Sequence, residues 1–242
     1  MRYHKLMIAL IAMLWSALSP CTIAQEGDTG AEAELNKVYV IGDSISIQYG
    51  PYLQQYLRGF MDYDRKADES EKNVGLAEPR GANGGDSSMV LRFVEAAEKA
   101  GGLGADILVL NCGLHDIKTE PLTGAKQVPI DQYEENLKKI VASAQRMNMK
   151  VVWVRTTPVD ESIHNNPNSI FHRFAADCAA YNDVADRVMT EAGVPMIDLF
   201  TFTNNIGENL FADHVHFPEP VREKQGAFIA GWLVAWNGKN TN

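Results

Sequence analysis

Short apolar runs alternate with longer amphipathic stretches through most of the chain. Lys37-Val-Tyr-Val-Ile41, Ala105-Asp-Ile-Leu-Val-Leu110, Lys150-Val-Val-Trp-Val-Arg155 and Val194-Pro-Met-Ile-Asp198 read as buried strands, apolar and too short for helices. Between them the spacing predicts helices over residues 48–58, 88–100, 131–147, about 171–192 and 219–236. Tyr133, Leu137, Ile140 and Val141 mark the apolar stripe of the third. Residues 61–79 are charged and poorly periodic, which predicts a long loop around a weak second strand, placed to shape a substrate cleft. Buried strands alternating with helices imply a parallel sheet covered on both faces, with functional groups gathered at its carboxyl edge.

The first residues break this pattern. Arg2, His4 and Lys5 precede an uncharged run, Leu6 to Leu18, and small residues close the segment at Thr22-Ile-Ala24. The run is shorter than the roughly 20 residues that span a bilayer. Residues 1–24 therefore read as a cleaved export signal, with no stable membrane insertion afterwards. Lipid attachment at Cys21 is the rival, disfavoured by Pro20 before it. Residues 25–36 are polar and read as a flexible leader, leaving 37–242 as one domain. Losing Arg2 and Lys5 but no acid shifts the formal charge from −9 to −11. So acidic a protein lacks the electrostatic footprint for nucleic acid or anionic lipid, and neutral or sugar-like ligands fit it better than polyanions. Cys112 and Cys178, each in an apolar segment, are expected as buried free thiols rather than a disulfide.

Candidate chemistry lies where the strand-like runs end. Gly42-Asp43-Ser44 follows the first run, where a turn into a helix exposes a hydroxyl and points amides at a carbonyl under attack. Asp43 and Ser44 as plain helix caps are the alternative. Near the other end, Asp213-His214-Val215-His216 offers a carboxylate that can orient an imidazole whose other nitrogen faces a serine. Alternation along this segment sends His214 elsewhere. Asp213, His214 and His216 with His115 or Asp43 as zinc ligands form a competing set. The glycine-rich Arg80-Gly-Ala-Asn-Gly-Gly85-Asp-Ser-Ser88 suits close approach of an amide to an oxyanion, or an ordinary helix entry. It lacks the lysine and spacing of a phosphate-binding loop. In Asn111-Cys-Gly-Leu-His115-Asp116, the His115 imidazole can donate to the same oxygen, or bond locally to Asp116 or backbone.

Taken in order, these segments resemble the SGNH hydrolases, also called GDSL esterases, from about residue 37 to 232. Ile41-Gly-Asp-Ser44 is similar to the family's first block, Asn83-Gly-Gly85-Asp-Ser-Ser88 to its second, and Asp213-His-Val-His216 to its last. The third block departs from the family's Gly-x-Asn-Asp, reading Gly113-Leu-His115-Asp116. The resemblance implies a flavodoxin-like three-layer α/β/α sandwich around a mostly parallel five-stranded sheet. It also implies acyl transfer with Ser44 as nucleophile, His216 as base and Asp213 as its orienting acid. The oxyanion would be held by the amides of Ser44 and Gly85, with Gly84 as the fallback, and by His115 in place of the usual Asn. No metal or organic cofactor is needed. The export segment, with no long apolar lid, leans toward small acyl groups, acetyl first, on extracellular carbohydrate. Lipid esters, thioesters, acyl transfer to a sugar hydroxyl, and a catalytically silent carbohydrate-binding protein remain alternatives. Tyr49, Tyr52 and Trp153 are candidates for stacking on a sugar ring, or for the core.

Overall fold

The computed structural model describes residues 35–67 and 81–240. The expected export segment, nearly all of the expected leader and much of the loop expected at 61–79 lie outside the described residues. Five strands form one sheet: β1 (Lys37–Ile41), β2 (Asp62–Arg65), β3 (Ile107–Leu110), β4 (Lys150–Val154) and β5 (Met196–Ile197). Their order is β2-β1-β3-β4-β5 and every pairing is parallel, so the expected mostly parallel sheet is parallel throughout.

Each strand exists because its side chains have somewhere apolar to go. Ile107, Leu108, Val109 and Leu110 are all buried, as a strand covered on both faces requires. β2, Asp-Tyr-Asp-Arg, lies at the edge, and its charges guard the open hydrogen-bonding side.

The helices are α1 (Ser44–Leu57), α2 (Ser87–Lys99), α3 (Ile130–Arg146), α4 (Glu161–His164), α5 (Ala175–Glu191), α6 (Leu199–Asn204) and α7 (Glu219–Asn240). Right-handed crossovers place α1, between β1 and β2, on the opposite face from α2, α3 and α5, which return in the other direction. Packing follows suit: α1 lies against α7 and α7 against α6, while α2 packs on α3 and α3 on α5. None of the helices among the described residues is long and apolar enough to cross a membrane.

Two boundaries differ from the sequence pattern for local reasons. α1 starts at Ser44 rather than 48, because the Asp43 carboxylate accepts the Ile45 N–H at 2.9 Å and caps it there. α5 starts at Ala175 rather than 171, because His172 is held in an antiparallel bridge with Thr119, with both bonds at 2.8 Å. Cys112 and Cys178 are buried and free.

Candidate active site

The strand order reverses direction between β1 and β3, and in open parallel sheets the crevice at that point receives ligands. Ser44 follows β1 and His115 follows β3, so the two border this crevice. The third contributor comes from the far end of the chain. Residues 211–216 form a turn that delivers His216 just before α7.

Asp213 folds this turn. Its Oδ1 accepts the N–H groups of Val215 at 2.9 Å and His216 at 2.8 Å, and its Oδ2 meets His216 Nδ1 at 2.7 Å. On the other side of the ring, His216 Nε2 lies 2.8 Å from Ser44 Oγ, across 172 positions of sequence. A carboxylate can only accept from Nδ1, so that nitrogen carries the proton and Nε2 is left to accept the serine hydroxyl. Partial burial alone would raise the Asp213 pKa, but the two amides and the imidazole outweigh it and hold it at about 2.

Around Ser44 the turn is fixed by backbone bonds. Gly84 N–H donates to Gly42 O at 2.8 Å, pinning the glycine-rich loop to the β1–α1 turn. Gly85 sits at φ 73°, a conformation that suits glycine, and its N–H donates to Asn83 Oδ1 at 2.9 Å. Of the expected oxyanion donors, His115 lines the cleft beside Ser44, whereas Gly85 is not among the lining residues. The His115 side chain is buried, and burial, helped by Lys118, Arg173 and His216, lowers its pKa to about 3. It is neutral at ordinary pH and retains one N–H to donate. Asp116 points away from the cleft chemistry: both its oxygens accept the Ser87 N–H, at 2.9 and 3.1 Å, at the start of α2. Burial raises its pKa to about 7.

The cleft over Ser44 holds about 560 Å³. One wall is formed by the end of α4 and the segment that follows it to α5, with Ile163, His164, Phe171 and Arg173 among its residues. Sequence reasoning assigned these positions nothing beyond a helix start. The bridge of His172 to Thr119 and the donation from Arg173 Nε to Leu114 O at 2.6 Å fasten this wall to the loop carrying His115. His214 also faces the cleft, stacked on His164 with ring centroids 4.1 Å apart. The expectation that alternation would send it elsewhere fails because the segment is a turn, not a strand. Tyr49 and Trp153 are core residues and Tyr52 bonds Glu219 at the surface, so none of the three is a sugar platform here. Among the described residues no cluster of three His, Cys, Asp or Glu is placed to hold a metal ion.

Residues 40–219 match the family model of the GDSL-like lipase/acylhydrolases. No curated protein matches by sequence. Similar solved structures include the acetyl xylan esterase AlAXEase, at 18% identity and TM-score 0.57, covering 81% of this chain and 99% of that one. A lipase/acylhydrolase from Enterococcus faecalis aligns at 17% identity and TM-score 0.61, over 83% of this chain and 96% of its own. An acetylxylan esterase from Geobacillus stearothermophilus aligns at 16% identity and TM-score 0.58, over 84% and 94%. At these identities the likeness speaks for the fold, while the family model spans most of the described residues and the serine, histidine and aspartate above. The chain belongs to the GDSL-like lipase/acylhydrolase family.

Proposed function

We propose that this protein is an exported serine esterase that removes small acyl groups, acetyl first, from carbohydrate. The observation that carries the reading is the unbroken path from Ser44 Oγ through the His216 ring to Asp213, with both contacts shorter than 3 Å. Ser44 attacks the ester carbonyl as its proton passes to His216 Nε2, and the carbonyl electron pair moves onto oxygen. That oxyanion is met by the Ser44 amide and the neutral His115 imidazole, while the Gly85 N–H is taken up by Asn83 Oδ1. Collapse expels the alcohol, which takes the proton from His216. Water then attacks the acyl-serine with the same histidine as base, releasing the acid and restoring the serine. No step calls on a metal or cofactor.

Acetyl as the acyl group and carbohydrate as the alcohol draw support from the similar acetyl xylan esterase structures and from the polar residues in the cleft wall. Export draws support from residues 1–24. The test is hydrolysis of p-nitrophenyl acetate by purified protein, with Ser44→Ala as control. Release lost in the variant, and a phosphonate label on Ser44 by mass spectrometry, support the reading. Equal release by both proteins, or none by either, overturns it.

A further inference from the structure

Arg173 is 4% exposed, yet it lines the cleft that opens over Ser44. Its Nε donates to Leu114 O at 2.6 Å, and its backbone bonds the Asn165 side chain through both N–H and C=O. Its terminal guanidinium nitrogens make no hydrogen bond or ion pair with any described residue. The head group lies 4.9 Å from the Phe171 ring centroid, and Lys118 Nζ, on another cleft-lining residue, lies 4.7 Å from the same ring. Two cations thus gather on one aromatic ring, and among the described residues that line the cleft there is neither Asp nor Glu. Asp43 and Asp213 act on Arg173 only through space.

A buried guanidinium is costly unless its donors are met, and its planar fork matches a carboxylate. On the described wall of the cleft, Arg173 carries a charge opposite in sign to the chain's net charge. We propose that Arg173 forms a carboxylate-binding subsite, so that the ester substrate carries a carboxylate near the bond that is cleaved. This rests on the esterase reading and narrows its substrate class from neutral sugars to acidic ones. The cleft has room beyond an acetyl group, so the carboxylate belongs to the alcohol portion, as in an O-acetylated uronic acid.

Binding is measured first, since it reads the subsite whether or not the protein turns over. Calorimetric titration with methyl glucuronide should give affinity at least about tenfold above methyl glucoside, as expected for one charged hydrogen-bonded contact. Arg173→Gln should remove the difference and Arg173→Lys should restore part of it. Hydrolysis then locates the group. Acetylated methyl glucuronide is compared with acetylated methyl glucoside, and p-nitrophenyl hemisuccinate with p-nitrophenyl acetate. Preference within the sugar pair alone supports the proposal as stated, and preference within the acyl pair moves the carboxylate to the acyl group and overturns the uronic acid assignment. Should Arg173→Gln fail to fold, competition by free glucuronate but not glucose on the wild-type protein decides in favour. Equal binding of both methyl glycosides by a protein whose Ser44-dependent hydrolysis is intact overturns the subsite and leaves the esterase standing. Absent hydrolysis with selective glucuronate binding does the reverse.

Discussion

Asp43, at the sheet edge, and Asp213, in the turn before α7, each direct one carboxylate oxygen onto the amides that follow them. The backbone motif is shared, but the surroundings are not. Asp43 is 1% exposed, and its second oxygen is buried without a partner, so burial pushes its pKa up. The Asp213 side chain is 45% exposed, its second oxygen holds His216, and its pKa falls to about 2. One motif therefore builds two devices: a helix cap that gains little from its charge, and an anion able to steady an imidazolium. The wider regions follow their carboxylates. The sheet edge, with Asp43, His115 and Asp116, is buried and disfavours charge, while the turn keeps its charge near water.

The largest separation is expected from Asn substitutions. Asp213→Asn should lower kcat/KM for p-nitrophenyl acetate on the order of 10³–10⁴-fold, because an amide facing Nδ1 favours the wrong tautomer. Asp43→Asn keeps the cap and should be far milder; equal damage from the two would put both carboxylates in the same role. Next, His115→Ala should cost on the order of 10²-fold in kcat with KM little changed, as loss of one oxyanion donor does. Since His115 takes up a proton only near pH 3, His115→Asn should keep the wild-type acid limb above pH 5 in a kcat/KM profile. A shifted limb would assign that ionisation to His115.

A stability measurement sharpens the same contrast. Burial raises the Asp116 pKa in the folded protein to about 7 from its ordinary 3.8. Its neutral form is therefore favoured by folding, which adds stability below pH 3.8 that is lost as pH rises through 7. For Asp213 the sign is opposite: its contribution is present above 3.8 and lost as pH falls toward 2. Urea titrations from pH 7 down to 4 should show Asp116→Asn losing a pH-dependent gain on the order of a few kcal/mol. An unchanged slope would mean that Asp116 stays ionised. Smallest of all, Asp43→Ala should cost about 1 kcal/mol in the same titration, the worth of a helix cap. A loss no larger than that of a random surface change would remove the capping role.

The strands were legible because covered parallel strands are continuously apolar, and Ile107–Leu110 needs no tertiary information to be recognised. Ser44, Asp213 and His216 were legible because their neighbours set the local turns that aim them. The wall of the cleft was not. Arg173, Phe171 and His164 lie in a stretch without period, and a loop arginine ordinarily reads as solvated; only the bond to Leu114 O shows that this one is enclosed. Net charge, on which the expectation of neutral ligands rests, says nothing of where charges gather. Trp153 and Tyr49 took the core alternative, the commoner place for aromatic residues on such elements.

The packing of α1 on α7 has a mechanical consequence. Ser44 opens α1, and His216 stands shortly before the start of α7 at Glu219, so the gap between these two rods sets the gap between hydroxyl and imidazole. Gly226 keeps them close: a β-carbon there would come within 2.9 Å of the Leu53 backbone nitrogen and 2.7 Å of Tyr52 Cβ. Adding a single methyl at this hidden seam would wedge the rods apart and stretch the proton's route from a distance, with every reacting side chain still in place.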